Sequence, residues 1–104
     1  FNAENLPSFF VGDMNTTPET DASRMFREYW HDAYDQAPLS TRYGAEYTYN
    51  AYKSAAGISR IDYIYFRGSS VDVESYRCDP SLRFGGYPSD HFPVSSVISV
   101  AHGR

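Results

Sequence analysis

The pattern of apolar and polar positions predicts a strand, a turn and a helix at the start of the chain. Residues 6–11 form a short apolar run, rich in aromatics, that ends at Gly12, which is typical of a buried strand. Thr17 and Pro18 then supply a hydroxyl cap and a proline at the first helical position. The next apolar residues recur at the spacing of one helix face: Ala22, Met25, Phe26, Tyr29 and Trp30. This spacing predicts a helix over 18–30 whose apolar stripe packs into the core.

The rest of the chain predicts strands separated by turns. Alternation of polar residues and tyrosines suggests a short strand over 46–50. Residues 61–66 and 71–78 read as two strong strands, and the short polar connection between them predicts an antiparallel hairpin. A loop with glycines and a proline over 83–89 precedes a last strand over 94–100. The predicted class is α/β with a mainly antiparallel sheet.

Polar side chains at strand ends are the candidates for chemistry. Asp13 and Asn15 follow the first strand two residues apart, so in an extended segment both can point the same way. Asp62 lies inside an aromatic strand and needs a partner there, because burying an unpaired charge is costly. Asp90 and His91 stand at the start of the last strand. Carboxylate oxygens suit hard cations such as magnesium, and an imidazole held by a carboxylate suits proton transfer near neutral pH.

Composition and charge narrow the class of protein. The chain has 104 residues, 41% of them hydrophobic and 21% charged, which fits one small globular domain. No apolar run approaches the roughly 20 residues that span a bilayer. Nine basic residues oppose thirteen acidic ones, a balance that counts against a module holding nucleic acid by its backbone alone. Cys78 is the single cysteine, so the chain has no intrachain disulfide, and a small buried hydrophobe is its simplest reading.

Three motifs in order resemble the C-terminal part of the endonuclease/exonuclease/phosphatase family. They are Gly-Asp-Met-Asn at 12–15, Arg-Ile-Asp-Tyr-Ile at 60–64 and Ser-Asp-His-Phe-Pro-Val at 89–94. The resemblance extends over residues 6–100, and Met14 departs from it, since an aromatic is usual there. It implies the C-terminal half of a four-layer α/β sandwich of the deoxyribonuclease I type. Residues 1–104 would then be the C-terminal portion of a single catalytic domain.

The resemblance also implies a role for each motif residue. Asp13 would orient or deprotonate the attacking water, and Asn15 would donate a hydrogen bond to a phosphate oxygen. Asp90 would contribute to a metal site, directly or through water, with magnesium or manganese as the cofactor. His91 would contact the scissile phosphate or assist proton transfer, with Asp62 fixing the orientation of its ring. Whether Asp13 or His91 is the general base stays open at this point.

Two elements of the family pattern have no counterpart in the sequence. Family members carry an upstream glutamate, the chief metal ligand, and an upstream histidine in a separate motif. Glu4 stands in no matching context, and His31 follows the predicted helix. The resemblance therefore implies that the N-terminal half of the domain is absent. It also implies that residues 1–104 alone are inactive and expose an apolar sheet face.

The expected function is hydrolysis of a phosphate ester by an activated water, with the metal ion neutralising negative charge. The acidic balance favours a small phosphorylated molecule or a lipid head group, with Arg60, Arg67 and Arg83 facing the site. A nuclease acting on DNA or RNA is the alternative, because the tyrosines of 43–52 can stack on bases. A non-catalytic binding module and a carbohydrate-binding β domain are weaker alternatives, since neither needs five polar residues in three ordered motifs.

Overall fold

Two three-stranded sheets and two short helices make up the part of the chain described by the computed structural model, residues 6–53, 57–68, 70–82 and 86–101. The strands are β1 (Ser8–Asp13), β2 (His31–Asp32), β3 (Arg42–Gly44), β4 (Asp62–Arg67), β5 (Val71–Cys78) and β6 (Val94–Val100). The helices are α1 (Asp21–Arg27) and α2 (Ala33–Gln36), with a 3₁₀ turn at Leu39–Thr41. No helix in these ranges has the length and apolar character needed to cross a membrane.

Each sheet has three strands, and β1 and β4 lie side by side in the first of them. The first sheet has the order β1-β4-β2, with both pairings antiparallel. The second has the order β3-β5-β6, in which β5 and β6 are antiparallel and β3 runs parallel to β5. The predicted fold class, α/β with mainly antiparallel pairing, is confirmed.

The predicted hairpin between residues 61–66 and 71–78 is wrong, because β4 and β5 belong to different sheets. Both edges of β4 are occupied, one by β1 and the other by β2, so β5 has no edge to pair with. Gly68, with φ +111°, allows the chain to leave the first sheet at this point. A side chain there would also place its Cβ 2.8 Å from the carbonyl oxygen of Leu6. A short connection between two strands thus crosses from one sheet to the other.

The core lies between the two sheets. Phe66 of β4 packs with the buried side chains of β5 and with Phe92. Two alanines of the α2 region complete the cluster, Ala33 and Ala37, both with almost no exposure. Cys78 is also fully buried, and desolvation raises the pKa of its thiol to about 12. The interpretation of Cys78 as a small buried hydrophobe therefore agrees with the structure.

Helix α1 is shorter than the predicted helix over 18–30. It begins after Thr20, whose Oγ1 accepts a hydrogen bond from the Ser23 N–H at 3.2 Å, so Thr20 rather than Thr17 is the cap. The Thr17 carbonyl accepts hydrogen bonds from the Thr20 N–H and the Ser23 hydroxyl, which makes residues 17–20 a turn. The helix ends at Arg27, where Glu28 caps it.

The apolar stripe of α1 is only partly covered. Phe26 packs edge-on against Phe10 of β1, with ring centroids 5.4 Å apart. Its ring is tilted against that of Tyr65 of β4, with centroids 4.5 Å apart. Met25 and Tyr29 are 64% and 67% exposed, and Ala22 is exposed as well, so the prediction that the whole stripe packs into the core is wrong for these three residues. The helix meets the sheet on one side only.

β1 is an exposed strand rather than the predicted buried one. Its apolar residues Phe9, Phe10 and Val11 are all exposed, and within the described ranges it pairs only with β4. Phe9 and Val11, which share one face of β1, leave apolar surface open to solvent, as the family resemblance implied for residues 1–104. Exposed apolar patches of this kind favour association with another surface.

A buried ion pair anchors the start of β4. Arg60 Nη1 lies 2.9 Å from Asp32 Oδ2, and both side chains are almost completely buried. Burial raises the pKa of Asp32 although the Arg60 charge beside it acts in the opposite direction. The Arg60 guanidinium also lies over the ring of Tyr34, 4.3 Å from its centroid. Arg60 is therefore a structural residue of the core, and the expectation that it faces the site is wrong.

Candidate active site

The antiparallel register of β1 and β4 places Asp13 directly opposite Asp62. The Asp13 side chain is half-exposed, and that of Asp62 is more deeply buried. Two like charges facing each other across a ladder destabilise a sheet, so this pair needs a positive group close by. Such an arrangement is better explained by chemistry than by folding.

The ring of His91 lies between the two carboxylates. Its Nδ1 is 2.6 Å from Asp62 Oδ2, so the contact that the sequence predicted for this pair is present. Its Nε2 lies 3.8 Å from Asp13 Oδ2 and 3.9 Å from Asp90 Oδ1, too far for direct hydrogen bonds. The hydrogen bond that His91 donates to Asp62 raises the pKa of His91 above its ordinary value, and the charges of the three aspartates add to this effect. The imidazolium form supplies the positive charge that the facing carboxylates need.

Asn15 reaches Asp13 through its backbone. Its N–H donates a hydrogen bond of 2.8 Å to Asp13 Oδ1, while Asp13 Oδ2 faces His91. Asn15 has φ +51°, a left-handed conformation that asparagine tolerates better than most residues. Residues 13–15 therefore form a turn, and the extended segment assumed in the sequence interpretation is absent at Asn15.

Asp90 joins the cluster from the loop before β6. Its backbone carbonyl accepts the Asn50 N–H at 2.7 Å, and its carboxylate approaches His91 Nε2 as described. All five residues predicted from the motifs thus come together at one end of the β1–β4 pair. Their individual chemical roles remain predictions.

The donor groups of this cluster fit a hard divalent cation. Asp13, Asp62 and His91 each offer a ligand atom, and these atoms lie within 4.8 Å of one another. Because the hydrogen bond to His91 already engages Asp62, the carboxylates of Asp13 and Asp90 are the better oxygen donors. Magnesium is usually held by one or two carboxylates plus substrate phosphate. The predicted metal residue, Asp90, lies beside the three-residue group rather than within it.

Sequence reasoning missed two residues that support the site, Thr48 and Asn50. The segment 46–50 is not a regular strand, since only Tyr49 forms bridges, to Ser59 and to His91. Thr48 and Asn50 have no exposed surface, whereas Tyr47 is exposed. The available signal was the alternation of small polar residues with tyrosines, but without the fold it does not show which set points inward.

The arginines do not surround the site as expected. Arg60 is buried against Asp32, and Arg67 stands at the opposite end of β4, where it pairs with Ser8. The six-residue strand separates Arg67 from Asp62 by roughly 17 Å. The Arg67 guanidinium lies over the ring of Trp30 instead, 5.5 Å from its centroid. Arg83 lies outside the described residues.

Comparison with known proteins assigns the family. The sequence matches the model of the endonuclease/exonuclease/phosphatase family over residues 1–91. The chain therefore belongs to this family, which contains both nucleases and phosphatases, and phosphoesterase-type hydrolysis is its general chemistry. A search of curated proteins finds no match.

Solved structures of bacterial proteins share the fold. A functionally unknown conserved protein from Enterococcus faecalis is 26% identical, with a TM-score of 0.79, over 91% of this chain and 37% of its own. An endonuclease/exonuclease/phosphatase family protein from Bacteroides thetaiotaomicron is 26% identical, with a TM-score of 0.77, over 95% of this chain and 39% of its own. A mannosyl-6-phosphatase from the same species is 27% identical, with a TM-score of 0.74, over 92% of this chain and 39% of its own. The chain thus spans less than two fifths of these proteins.

The Asp62–His91 contact predicts a measurable property of the metal-free chain. We expect the pKa of His91 to lie above 6.5 and to fall towards that value in Asp62→Asn, because the hydrogen bond that the ring donates to Asp62 is the main cause of the rise. The raised pKa means that this contact stabilises the fold fully below pH 6.5 and less as the pH rises through the folded-state pKa. NMR titration of the His91 ring measures this pKa in the wild type and in Asp62→Asn.

The exposed aspartate Asp21, which pairs with Arg24 on α1, provides the control for this titration. Asp21→Asn should leave the His91 pKa unchanged. An equal His91 pKa in the wild type and in Asp62→Asn would show that the contact does not govern the ring.

Proposed function

We propose that this chain is the C-terminal portion of a single catalytic domain that hydrolyses phosphate esters with Mg²⁺ or Mn²⁺. The observation that carries the proposal is a cluster of four side chains, in which the His91 imidazole lies within 3.9 Å of three carboxylates, those of Asp13, Asp62 and Asp90. The family to which the chain belongs supports it, as does the mannosyl-6-phosphatase among its structural neighbours. The short span relative to those neighbours supports a domain whose remaining part supplies further active-site groups.

In the proposed mechanism, Asp62 orients the His91 ring. An ionised carboxylate only accepts hydrogen bonds, so the 2.6 Å contact requires a proton on His91 Nδ1. The ring then presents Nε2 to the space between Asp13 and Asp90, where a phosphate oxygen binds. Because its pKa is raised, His91 is better suited to donating a proton to the phosphate than to accepting one from the attacking water.

Asp13 then takes the role of the base. Its Oδ1 is oriented by the Asn15 N–H, which leaves Oδ2 to orient the attacking water and accept its proton. Asp90 would supply a carboxylate ligand for the metal ion, and the ion would neutralise the negative charge that develops on the phosphate. The Asn15 side chain is proposed to donate a hydrogen bond to a phosphate oxygen.

A small phosphorylated molecule, such as a sugar phosphate, or a lipid head group is the favoured substrate. The net charge of −4 disfavours a polyanion, and neither Arg60 nor Arg67 faces the site. A neighbour that is a mannosyl-6-phosphatase points in the same direction. A nuclease acting on single strands is the second candidate, because Tyr47 and Tyr52 expose their rings and can stack on bases.

The test compares substrates with the full-length protein that contains this chain. We expect Mg²⁺-dependent turnover of hexose, inositol or lipid head-group phosphates, abolished by a chelator and by Asp13→Ala. Residues 1–104 alone should show no turnover under the same conditions, since they lack the family's upstream glutamate. Nicking of plasmid or cleavage of single-stranded oligonucleotides without turnover of small esters would favour the nuclease. Turnover that survives the chelator would reject the metal mechanism.

A further inference from the structure

Two polar side chains without any exposed surface lie behind the site. Thr48 and Asn50 are both fully buried. Burying a hydroxyl or an amide is unfavourable unless its hydrogen bonds are made, so the partners of these two side chains identify the segments that they connect. Both lie on a strip of chain, residues 48–50, that belongs to neither sheet.

Thr48 is bonded to the segments on either side of the site. Its Oγ1 accepts hydrogen bonds from the N–H groups of Ile61 at 3.0 Å and Asp62 at 3.2 Å. Its backbone carbonyl accepts the N–H of Phe92, the residue after His91, at 2.7 Å. A single residue thereby connects the backbone of Asp62 with the backbone next to His91.

Asn50 continues the connection on the side of Asp90. Its backbone N–H donates to the Asp90 carbonyl at 2.7 Å, and its Nδ2 donates to the Ser89 carbonyl at 3.2 Å. Its Oδ1 accepts the Tyr52 N–H at 2.6 Å, which closes the turn that follows. Between the two, the ring of Tyr49 stands edge-on to the His91 ring, with centroids 5.3 Å apart.

Among the residues that the structure describes, no strand ladder joins the two halves of the site. Asp62 begins β4 and His91 precedes β6, and these strands belong to different sheets with no pairing between them in the described ranges. Tyr49 bridges both to Ser59, three residues before Asp62, and to His91. The relative position of the Asp62 and His91 backbones therefore depends on residues 48–50.

We propose that Thr48 and Asn50 are positioning residues that set the separation of Asp62 from the Asp90–His91 segment. The inference rests on the proposed function, because the groups being positioned are its catalytic residues. Neither residue needs to touch the substrate, since each acts through a hydrogen bond to the backbone of a site residue. A displacement of about 1 Å between reacting groups is enough to lower turnover about 10²-fold.

The test removes the Thr48 hydroxyl while keeping the shape of the side chain. In Thr48→Val, the Asp62–His91 hydrogen bond should weaken. The neutral His91 ring should then populate the Nδ1–H tautomer, which donates to Asp62, less often and the Nε2–H tautomer more often. Thr48→Ser should restore the Nδ1–H tautomer. Long-range ¹H–¹⁵N NMR of residues 1–104, at a pH where the ring is neutral, measures the tautomer directly.

Thr41 offers a matched control, because its hydroxyl bonds to Pro38 in an exposed turn. Thr41→Val should leave the His91 tautomer unchanged even if it alters the melting temperature. A folded Thr48→Val chain with the wild-type tautomer overturns the proposal. So does a wild-type chain in which the neutral ring already carries its proton on Nε2.

Hydrogen exchange of the wild-type chain tests the same idea if Thr48→Val does not fold. The amides of Asp62 and Phe92 should be protected and should open together, because Thr48 bonds to both. An unprotected Asp62 amide overturns the proposal.

Kinetics of the full-length protein separate this inference from the proposed function. There, Thr48→Val should lower kcat about 10- to 100-fold with little change in KM. If the tautomer shifts but the full-length protein hydrolyses no phosphate ester, the proposed function fails and the positioning role stands. If the protein is active and Thr48→Val retains its kcat, the positioning role fails and the function stands.

Discussion

His91→Ala in the full-length protein is expected to lower kcat for phosphate-ester hydrolysis by about 10²–10⁴-fold, the usual contribution of a positioned acid or base. The substitution removes the only positive group between Asp13, Asp62 and Asp90 among the described residues. The phosphate then loses its proton donor and faces three carboxylates. Steady-state kinetics with Mg²⁺ and the best ester of the substrate panel measures the effect.

His31 is the matched control for this substitution. It lies in β2 with its ring against Phe66, at 5.3 Å between centroids, and has no contact with the aspartates of the site. His31→Ala should therefore change kcat by less than about threefold. A His91→Ala protein that keeps its fold, judged by circular dichroism, and keeps its kcat would remove His91 from the mechanism.

Asp32→Ala is expected to destabilise the fold by about 3–5 kcal/mol, the usual result of removing one partner of a buried ion pair. Arg60 would be left charged in a site where its side chain is only 7% exposed. Asp35, 4.0 Å from Arg60 Nη2 and half-exposed, is too distant to replace the lost contact. Since domains of this kind have about 5–15 kcal/mol of stability in total, the variant should be largely unfolded or close to it. Urea denaturation of residues 1–104 measures the change.

Two further variants show whether the loss comes from the unpaired charge. Asp35→Asn should lower the free energy of unfolding by less than about 1 kcal/mol, because an exposed ion pair contributes little to stability. The double substitution Asp32→Leu with Arg60→Met should recover much of the loss, since it removes both charges and keeps apolar volume in the core. If Asp32→Ala is as stable as Asp35→Asn, the pair does not anchor β4.

The Asp32–Arg60 ion pair and the Thr48 hydroxyl both hold the start of β4. Arg60 fixes the entry to β4 from the core side, and Thr48 bonds to Ile61 and Asp62 just after it. Asp62 is thereby held where it faces Asp13, an arrangement that is electrostatically unfavourable without His91. Because these contacts hold three successive residues, we expect changes in the core at Arg60 to affect the position of Asp62 in the site.

Much of the fold and the members of the site could be predicted from local sequence. β1, β4, β5 and β6 lie within two residues of the predicted segments, because strand periodicity and the flanking turn residues are properties of neighbouring positions. The three motifs identified the family and brought forward all five site residues. The residues of the three motifs and their order along the chain carried this resemblance to the family.

Only the tertiary structure decided which strands pair and which side chains are buried. β4 pairs with β1 and β2 rather than with its sequence neighbour β5, and this depends on long-range contacts that no local pattern contains. For the same reason Arg60, an apparent phosphate ligand in the sequence, is buried against Asp32. Thr48 and Asn50, which look like ordinary loop residues, are the most buried polar groups beside the site. Local sequence determines the elements and the chemical groups, whereas burial and pairing are set by residues far apart in the chain.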